Sequence, residues 1–285
     1  MNYRRILTVQ DISCVGQCSL TVALPVLSVC GMETAVLPCS LLSNHTTDFD
    51  RYSFRDLSDD MPVIRQKWTE QGIKFAAVYS GYMGNTKQLK HLKNIMNSCL
   101  EQGGVKIMDP AMADNGMLYP GLDNEFVAEM KKMAPEADYI LPNITEACLL
   151  TGTAYTEKYD ESYILGLLSA LEDMGCKSII LTGVSYESGV TGVAIYEKGI
   201  YRYYSHEKLA KSSPGTGDVF ASVFTGALIR GHSLDSSVAM AADFVVECLK
   251  VTEKYPCHNY GPVFEPVLGK LIDMVNNPIN IGRKL

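Results

Sequence analysis

The sequence predicts an α/β protein whose central sheet is mostly parallel and is covered by helices on both faces. Apolar runs alternate with helical stretches through residues 6–181, and most of the runs that read as strands are continuously apolar. Strands lose the alternating polar pattern when both of their faces are buried, as in parallel sheets covered by helices. Small or polar residues follow most of these strands, at the edge where open α/β sheets bind their ligands.

Turn residues bound the predicted elements and give their order along the chain. The predicted strands of the parallel part are residues 6–9, 34–37, 75–79, 105–108, 139–141 and 178–181. The predicted helices of this part are residues 18–30, 58–71, 86–102, 123–133, a helix from 145, and 162–174. After Gly183 we expect an antiparallel hairpin of residues 190–196 and 199–204, then helices over 218–230, 236–252 and 263–276. No repeat or linker divides the chain, so we expect one domain over residues 1–285.

Composition and charge exclude several classes of protein. The chain has 285 residues, of which 47% are hydrophobic, and its net charge is −7. A chain of this length can bury a large core without disulfides, and the lack of clustered cations argues against a nucleic-acid partner. The nine cysteines are odd in number and form no C-x-x-C pair, which favours buried reduced thiols in a cytoplasmic protein.

Residues 12–32 carry no formal charge and follow Arg4 and Arg5, so they could be mistaken for a membrane anchor. Serine, threonine, glutamine, glycine and proline interrupt this stretch, and its apolar density is below that of a spanning helix. We therefore expect the end of a strand followed by a core-packed helix, and no membrane span.

The strongest local motif is Gly-Thr-Gly-Asp at residues 215–218, directly before an apolar helix. Glycines let backbone N–H groups approach an anion, and a helix N-terminus adds unpaired donors and a favourable dipole. Asp218 at the rim of such a cradle could accept a proton from an attacking hydroxyl group. The alternative is a simple turn with Asp218 as the helix N-cap. No P-loop or dinucleotide-binding motif competes with this cradle.

Two further acids follow neighbouring predicted strands. Asp109 ends one strand, and Asn143-x-x-Glu146 follows the next. Mg²⁺ prefers a few carboxylates together with water and substrate phosphates, so these acids are candidate metal ligands. The alternative for Asp109 is a turn with the proline that follows it, and for Glu146 it is the first turn of a helix capped by Asn143 or Thr145.

Two other segments are candidates for ligand contact. Ser-Asn-His-Thr at residues 43–46 is a polar loop after a short strand, and Tyr82 stands between a glycine and a methionine that precedes another glycine. An aromatic ring among glycines can stack on a flat ligand. The alternatives are an ordinary loop histidine at His45 and a core position at Tyr82.

These motifs together resemble those of the ribokinase superfamily, and more narrowly those of its pyridoxal (vitamin B6) kinase branch. Gly-Thr-Gly-Asp at 215–218 and Asn-x-x-Glu at 143–146 mark the superfamily, whereas Ser-Asn-His-Thr at 43–46 and Ser-Gly-Tyr at 80–82 point to the B6 branch. The resemblance runs from Ile6 to Thr252 and implies a ribokinase-like fold. It also implies MgATP as cofactor, often with K⁺, a small-molecule B6 vitamer as substrate, and a homodimer.

The resemblance further implies a role for each candidate residue. Asp218 would be the base that activates the 5′-hydroxymethyl group, beside an anion hole formed by Gly215, Thr216 and Gly217. Asp109 and Glu146 would hold Mg²⁺, largely through water. The residues implied at the ATP phosphates and flap are Asn143, Asp114, Tyr119, Thr182 and Thr216. The residues implied at the acceptor are Asp11, Ser43, His45, Thr46 and Tyr82.

One departure from the family pattern bears on the substrate. B6 kinases usually have Gln-Ser-His after the first strand, with the serine near the ring nitrogen, whereas this chain has Gln10-Asp11-Ile12. A carboxylate prefers a protonated pyridinium, or a ring with a donor at that place, to a neutral acceptor nitrogen. The residues after Ser40 also differ from the family's usual Val-Gln-Phe and are Leu41-Leu42.

We therefore expect ATP-dependent phosphorylation of pyridoxal, pyridoxine or pyridoxamine at the 5′-hydroxymethyl group. Asp11 favours a hydroxymethylpyrimidine kinase as the second hypothesis. A non-catalytic protein that binds a nucleotide or vitamer on the same fold is a third. A sugar kinase of the wider superfamily is a weaker alternative, because residues 43–46 fit the B6 pattern better.

Overall fold

A computed structural model of the chain describes residues 3–46, 49–210 and 213–277. The main sheet within these residues has nine strands in the order β11-β10-β9-β8-β5-β4-β1-β2-β3. The strands are β1 (Arg5–Ser13), β2 (Glu33–Leu42), β3 (Phe54–Asp56), β4 (Phe75–Ser80), β5 (Leu100–Met108), β8 (Tyr139–Ile140), β9 (Ser178–Val184), β10 (Val190–Glu197) and β11 (Ile200–Glu207), with a separate small hairpin of β6 (Ala113–Asp114) and β7 (Met117–Leu118).

The pairing of the strands confirms the prediction of a mostly parallel sheet. The six strands from β2 to β9 in the sheet order pair in parallel with one another. The strands β3, β10 and β11 pair antiparallel at the two edges. The hairpin expected after Gly183 is the pair β10 and β11.

Nine α-helices within the described residues cover both faces of the sheet. They are α1 (Leu20–Val29), α2 (Asp60–Glu70), α3 (Thr86–Ser98), α4 (Asn124–Met133), α5 (Ile144–Thr151), α6 (Glu161–Asp173), α7 (Thr216–Arg230), α8 (Leu234–Thr252) and α9 (Leu268–Asn276). Buried side chains form two separate apolar clusters. One contains residues of α2 to α6, and the other contains residues of α1, α7, α8 and α9. Helices therefore lie on both faces, as predicted.

The uncharged stretch of residues 12–32 forms the end of β1 and the buried helix α1. Among the described residues, no helix is both long enough and apolar enough to cross a membrane. All nine cysteines lie in the described part of the chain and are free thiols. Seven of them are buried, whereas Cys14 and Cys257 are exposed.

Several predicted boundaries are wrong. The strands expected over residues 6–9 and 34–37 continue to residues 13 and 42, so the polar residues expected after the first strand lie within β1. The helix expected over residues 86–102 ends at Ser98, and Leu100 already begins β5. Pairing of Leu100 with Phe75 of β4 extends the strand into a segment whose local composition favours a helix. The last helix was expected from residue 263, but α9 begins at Leu268 after a short 3₁₀ turn.

Close packing of α1 on α7 brings together two helices that are distant in sequence. A Cβ atom on Gly226 of α7 would lie 2.6 Å from both Cβ and Sγ of Cys30. Real Cβ atoms do not approach other atoms so closely, so only glycine allows this separation of the helices. The N-termini of these two helices also carry residues of the candidate site described below.

Replacement of Gly226 should therefore destabilise the fold. We expect Gly226→Ala to lower the free energy of unfolding by about 1–3 kcal/mol, because the added methyl overpacks the α1–α7 contact. Gly166 in the exposed part of α6 is the matched control, since a Cβ there meets nothing within 4 Å. Gly166→Ala should raise the free energy of unfolding by about 0.5–1 kcal/mol through helix propensity alone. Urea denaturation of both variants measures the difference, and equal effects would contradict the packing argument.

Candidate active site

A cavity of about 230 Å³ opens at the carboxyl edge of the sheet. Its wall is formed by residues that follow β5 and β8, by Thr182 within β9, and by the N-terminus of α7 with the residues before it. Ten of the residues singled out in the sequence line it: Asp109, Asp114, Tyr119, Asn143, Glu146, Thr182, Gly215, Thr216, Gly217 and Asp218. The tertiary structure thus brings together side chains that span more than a hundred positions of the chain.

The anion cradle lies where α7 begins. Gly215 is the N-cap of α7 and has a φ of 82°, a conformation that favours glycine. A Cβ atom on Gly215 would also lie 2.2 Å from the carbonyl oxygen of Gln17. No side chain among the described residues caps this helix end, which leaves its first N–H groups available to an anion in the cavity that they line. The alternative that Asp218 is the N-cap is therefore wrong, because Asp218 is the third residue of the helix.

Asp218 is a half-buried carboxylate on the first turn of α7. Burial raises the pKa of Asp218 to about 7; a hydrogen bond from the backbone N–H of Ser19 opposes the rise, and the negative charge of Asp11 adds to it. A carboxyl group with a pKa near neutrality can accept a proton and release it again at physiological pH. Asp218 is therefore chemically suited to general-base work.

Asp109 and Glu146 form a buried acidic pair in the wall of the same cavity, with Oδ2 of Asp109 near Gly217 of the cradle. Asp109 follows β5, and its Oδ1 accepts from the N–H of Ala111 at 3.1 Å. Burial raises the pKa of Asp109 well above its usual range, and the negative charges of Glu146 and Asp218 add to this rise. Burial also raises the pKa of Glu146, although backbone N–H groups partly stabilise its charged form.

Glu146 has a structural role as well. Its Oε2 accepts from the N–H of Asn143 at 2.9 Å, and the Asn143 side chain accepts from the N–H of Glu146, which makes a capping box at the start of α5. Its Oε1 accepts from the N–H of Met112 at 3.0 Å. The sequence alternative of a first-turn acid capped by Asn143 is thus confirmed, and the same carboxylate also lines the cavity.

The acidic pair fits a hydrated cation better than a directly caged one. In the described part of the chain, no three His, Cys, Asp or Glu side chains are grouped closely enough to hold a metal ion by themselves. No lysine, arginine or histidine occurs among the described residues that line the cavity. Two buried carboxylates without a cationic side chain suit an ion whose other ligands are water and phosphate oxygens, as Mg²⁺ prefers.

The hairpin of β6 and β7 forms another part of the cavity wall. Asn115 and Gly116 at its turn have φ angles of 50° and 77°, as a two-residue type I′ turn requires. The N–H of Gly116 donates to Oγ1 of Thr145 at 3.0 Å, which fixes the hairpin on α5. The hairpin carries Asp114, and Tyr119 follows it. Sequence reasoning missed this hairpin, although Asn-Gly is a strong turn signal.

Asn143 and Thr182 were expected at the ATP phosphates, and both line the cavity. The side chain of Asn143 is engaged at both ends, since its Nδ2 donates to the carbonyl of Ala113 at 2.8 Å and its Oδ1 caps α5. The hydroxyl of Thr182 donates to the carbonyl of Pro142 at 3.4 Å. Asn143 therefore shapes the wall of the cavity by holding α5 against the hairpin.

Asp11 and Tyr82 do not line this cavity but lie next to it. Asp11 is 5% exposed and lies where the pairing of β1 with β2 becomes irregular, between Gln10 and Ile12. Burial raises the pKa of Asp11, and hydrogen bonds from the hydroxyls of Ser19 and Ser13 oppose the rise. Burial and the nearby charge of Asp11 raise the pKa of Tyr82 to about 12. The charge of Asp11 therefore acts on both Tyr82 and Asp218 and links the two parts of the site.

The loop of residues 43–46 is placed over the β1–α1 connection. The N–H of His45 donates to the carbonyl of Val15 at 2.8 Å. The hydroxyl of Ser43 accepts from the N–H of Ser53 at 2.9 Å and so fixes the turn toward β3. Ser43 and Thr46 are exposed, and His45 is half-buried. A contact of these three side chains with an acceptor stays a prediction.

Sequence reasoning also missed two serines near the reacting groups. Ser213 is buried and lines the cavity directly before the glycine motif, a position that the motif itself could have indicated. Ser19 contacts both Asp11 and Asp218. Nothing in the local pattern indicates this double contact, because it depends on the packing of α1 against α7.

Comparison with known proteins finds relatives among phosphomethylpyrimidine and pyridoxal kinases. The model of the phosphomethylpyrimidine kinase family matches residues 54–264. A Bacteroides thetaiotaomicron protein described as a phosphomethylpyrimidine kinase, crystallised with pyridoxal, is 33% identical, with a TM-score of 0.90 over 98% of each chain. The pyridoxal kinase of Lactobacillus plantarum is 30% identical, with a TM-score of 0.88 over 96% of this chain and 98% of that one.

A curated relative lies on the pyrimidine side of the family. The hydroxymethylpyrimidine/phosphomethylpyrimidine kinase of Haemophilus influenzae is 28% identical over 62% of this chain and 65% of its own length. The structural relatives confirm the predicted ribokinase-like fold with its pyridoxal kinase neighbours. The family match covers well over half of the chain. The chain therefore belongs to the phosphomethylpyrimidine kinase family.

Proposed function

We propose that this protein is an ATP-dependent kinase that phosphorylates the 5′-hydroxymethyl group of pyridoxal, pyridoxine or pyridoxamine. The proposal rests above all on one observation. A carboxylate with a pKa near neutrality, that of Asp218, stands at a helix N-terminus that no described side chain caps, in the same cavity as the acidic pair Asp109 and Glu146. Phosphoryl transfer needs such a base, an anion cradle and a cation site together. We further propose that residues 1–285 act as one kinase domain.

In this mechanism Asp218 takes the proton of the acceptor hydroxyl group. The hydroxyl oxygen forms a bond to the γ-phosphorus of ATP, and the bond from that phosphorus to the β–γ bridging oxygen breaks. The N–H groups of Thr216 and Gly217 stabilise the charge of the transferring phosphoryl group. ADP leaves, and Asp218 returns its proton to solvent. Each of these steps uses a group that lines the cavity.

Membership of a kinase family implies ATP and a divalent metal ion. We propose that Asp109 and Glu146 hold Mg²⁺ through water, which would neutralise the negative charge of the phosphates. Asp114, Tyr119, Asn143 and Thr182 would bound the nucleotide. Use of K⁺, a homodimeric state and a cytoplasmic location stay predictions from the family resemblance.

The acceptor end of the site would be formed by Asp11 and Tyr82, covered by the loop with Ser43, His45 and Thr46. The buried carboxylate of Asp11 suits a ring nitrogen that carries a proton. Pyridoxal bound to the Bacteroides relative supports a B6 vitamer as acceptor. The second candidate is hydroxymethylpyrimidine, which the family match and the Haemophilus relative favour.

An acceptor panel distinguishes these substrates. We expect ADP release with MgATP and at least one of pyridoxal, pyridoxine and pyridoxamine, at a kcat/KM at least tenfold above that for hydroxymethylpyrimidine and its phosphate. A coupled assay measures this release, and mass spectrometry identifies the phosphorylated product. Turnover of the pyrimidine alone would favour the second candidate. Thermal stabilisation by MgATP and by pyridoxal without any product would instead indicate a non-catalytic binding protein.

Removal of the base should abolish most of the activity without unfolding the protein. We expect Asp218→Asn to lower kcat about 100-fold or more, the usual contribution of a general base, while the unfolding temperature stays near that of the native protein. Asp173→Asn at the exposed end of α6 is the matched control and should keep native kcat. An Asp218→Asn variant with near-native kcat would exclude Asp218 as the base.

The raised pKa of Asp218 predicts an acidic limit of activity. Because only the ionised carboxylate accepts a proton, kcat/KM should fall about tenfold per pH unit below its pKa of about 7. The Asp11→Asn variant removes a negative charge that raises this pKa, so its acidic limb should move to lower pH. Profiles from pH 5.5 to 9, corrected for titration of the free ligands, measure both effects. A limb that moves to higher pH in Asp11→Asn would contradict the proposed coupling.

A further inference from the structure

Ser19, at the start of α1, has an unusual backbone conformation. Its φ of 48° and ψ of −128° are those of the first central residue of a type II′ turn, where glycine is strongly preferred. Of the described non-glycine residues, just three have a positive φ, and the other two, Asn115 and Lys198, lie in hairpin turns. Such strain persists when the surroundings over-determine it, and it is frequent at functional sites.

The surroundings of Ser19 do hold the strained turn in place. The preceding Gln17 is fixed by its N–H, which donates to the carbonyl of Tyr260 at 3.0 Å, and by its Nε2, which donates to Glu265 at 2.5 Å. Gly215 and Gly261 leave room for the carbonyl of Gln17, since a Cβ on either would lie within 2.4 Å of its oxygen. The β1–α1 loop is therefore clamped to the start of α7 and to the segment before α9.

The hydroxyl of Ser19 is not used as a helix cap. Serine is favoured at an N-cap because its oxygen accepts from the first N–H groups of the helix, yet no such bond forms at α1. The hydroxyl instead lies close enough to the carboxylate of Asp11 to stabilise its charged form, and the backbone N–H of the same residue does so for Asp218. Ser19 is 6% exposed, so both interactions are shielded from water.

We propose that Ser19 is a positioning residue, which sets the carboxylate of Asp218 relative to that of Asp11 through one strained turn. This inference rests on the proposed function, in which Asp218 takes the proton and Asp11 binds the acceptor ring. The distance between ring and base then depends on Ser19 as well as on the separate placement of β1 and α7. Displacement by as little as 1 Å can cost a large factor in rate, so a rigid link between these two groups has a direct catalytic consequence.

Loss of the hydroxyl alone is tested by Ser19→Ala. We expect the dissociation constant and KM of the acceptor to rise about tenfold, in line with loss of a hydrogen bond to a charged group, while KM for ATP changes less than twofold. The acceptor used in this test is the compound that gives the highest kcat/KM in the acceptor panel described above, or pyridoxal if no compound is phosphorylated. Ser28→Ala is the matched control on the same helix, because the hydroxyl of Ser28 is exposed and bonds to its own helix. It should keep native constants.

A double-mutant cycle separates positioning from general damage. If the Ser19 hydroxyl acts through Asp11, Ser19→Ala should change acceptor binding less than twofold in a protein that already carries Asp11→Asn. A further tenfold loss in that background would contradict the inference, as would native acceptor binding in Ser19→Ala. Calorimetric titration measures binding without turnover, so the cycle is valid even if no product forms and the proposed function fails.

The strained turn itself is tested by Ser19→Gly. Glycine adopts this conformation freely, so Ser19→Gly should unfold at a higher temperature than Ser19→Ala. Its looser backbone should hold Asp218 less firmly, and we expect a kcat at least threefold below that of Ser19→Ala. Equal or higher kcat in Ser19→Gly would overturn the role assigned to the turn. A ligand-free crystal structure in which Ser19 contacts neither Asp218 nor Asp11 would overturn the inference whatever the activity of the enzyme.

Discussion

The site depends on one kind of interaction, the stabilisation of buried carboxylates by backbone N–H groups at the carboxyl edge of the sheet. The N–H of Ala111 donates to Asp109, and those of Met112 and Asn143 donate to Glu146. The N–H of Ser19 stabilises the charged form of Asp218. Buried carboxylates raise one another's pKa, and no cationic side chain occurs among the described residues of the cavity wall. The amides keep these groups in place while leaving their charge available to a cation or a proton.

This arrangement gives single residues two tasks. Glu146 completes the capping box of α5 and also faces the cavity, so the helix that it starts is fixed to the site that it serves. Asn143 joins the same helix to the hairpin of β6 and β7. Gly215 is the N-cap of α7, and its lack of a side chain also lets the carbonyl group of Gln17 approach closely. The functional edge is thus stiff because the side chains that line it also terminate the elements around it.

Much of the fold was predictable from local pattern. The buried strands β1, β4, β5 and β9 were recognisable because continuous apolar runs between turn residues leave few other interpretations. The boundary between α3 and β5 was not, since the strand character of Leu100 comes from its pairing with Phe75. The hairpin at Asn115 and Gly116 was predictable in principle from its turn residues, and its contact with Thr145 was not.

The sequence by itself determined the parallel α/β architecture, the glycine cradle before α7 and the acids at the strand ends. These features depend on residue types at short spacing, and short spacing is enough to specify a strand, a turn or a helix start. Only the tertiary structure decided that Asp11 lies beside Asp218 and that Ser19 joins them. That contact depends on how closely α1 packs on α7, which is a matter of three-dimensional fit around Gly226 and Cys30 and leaves no local pattern.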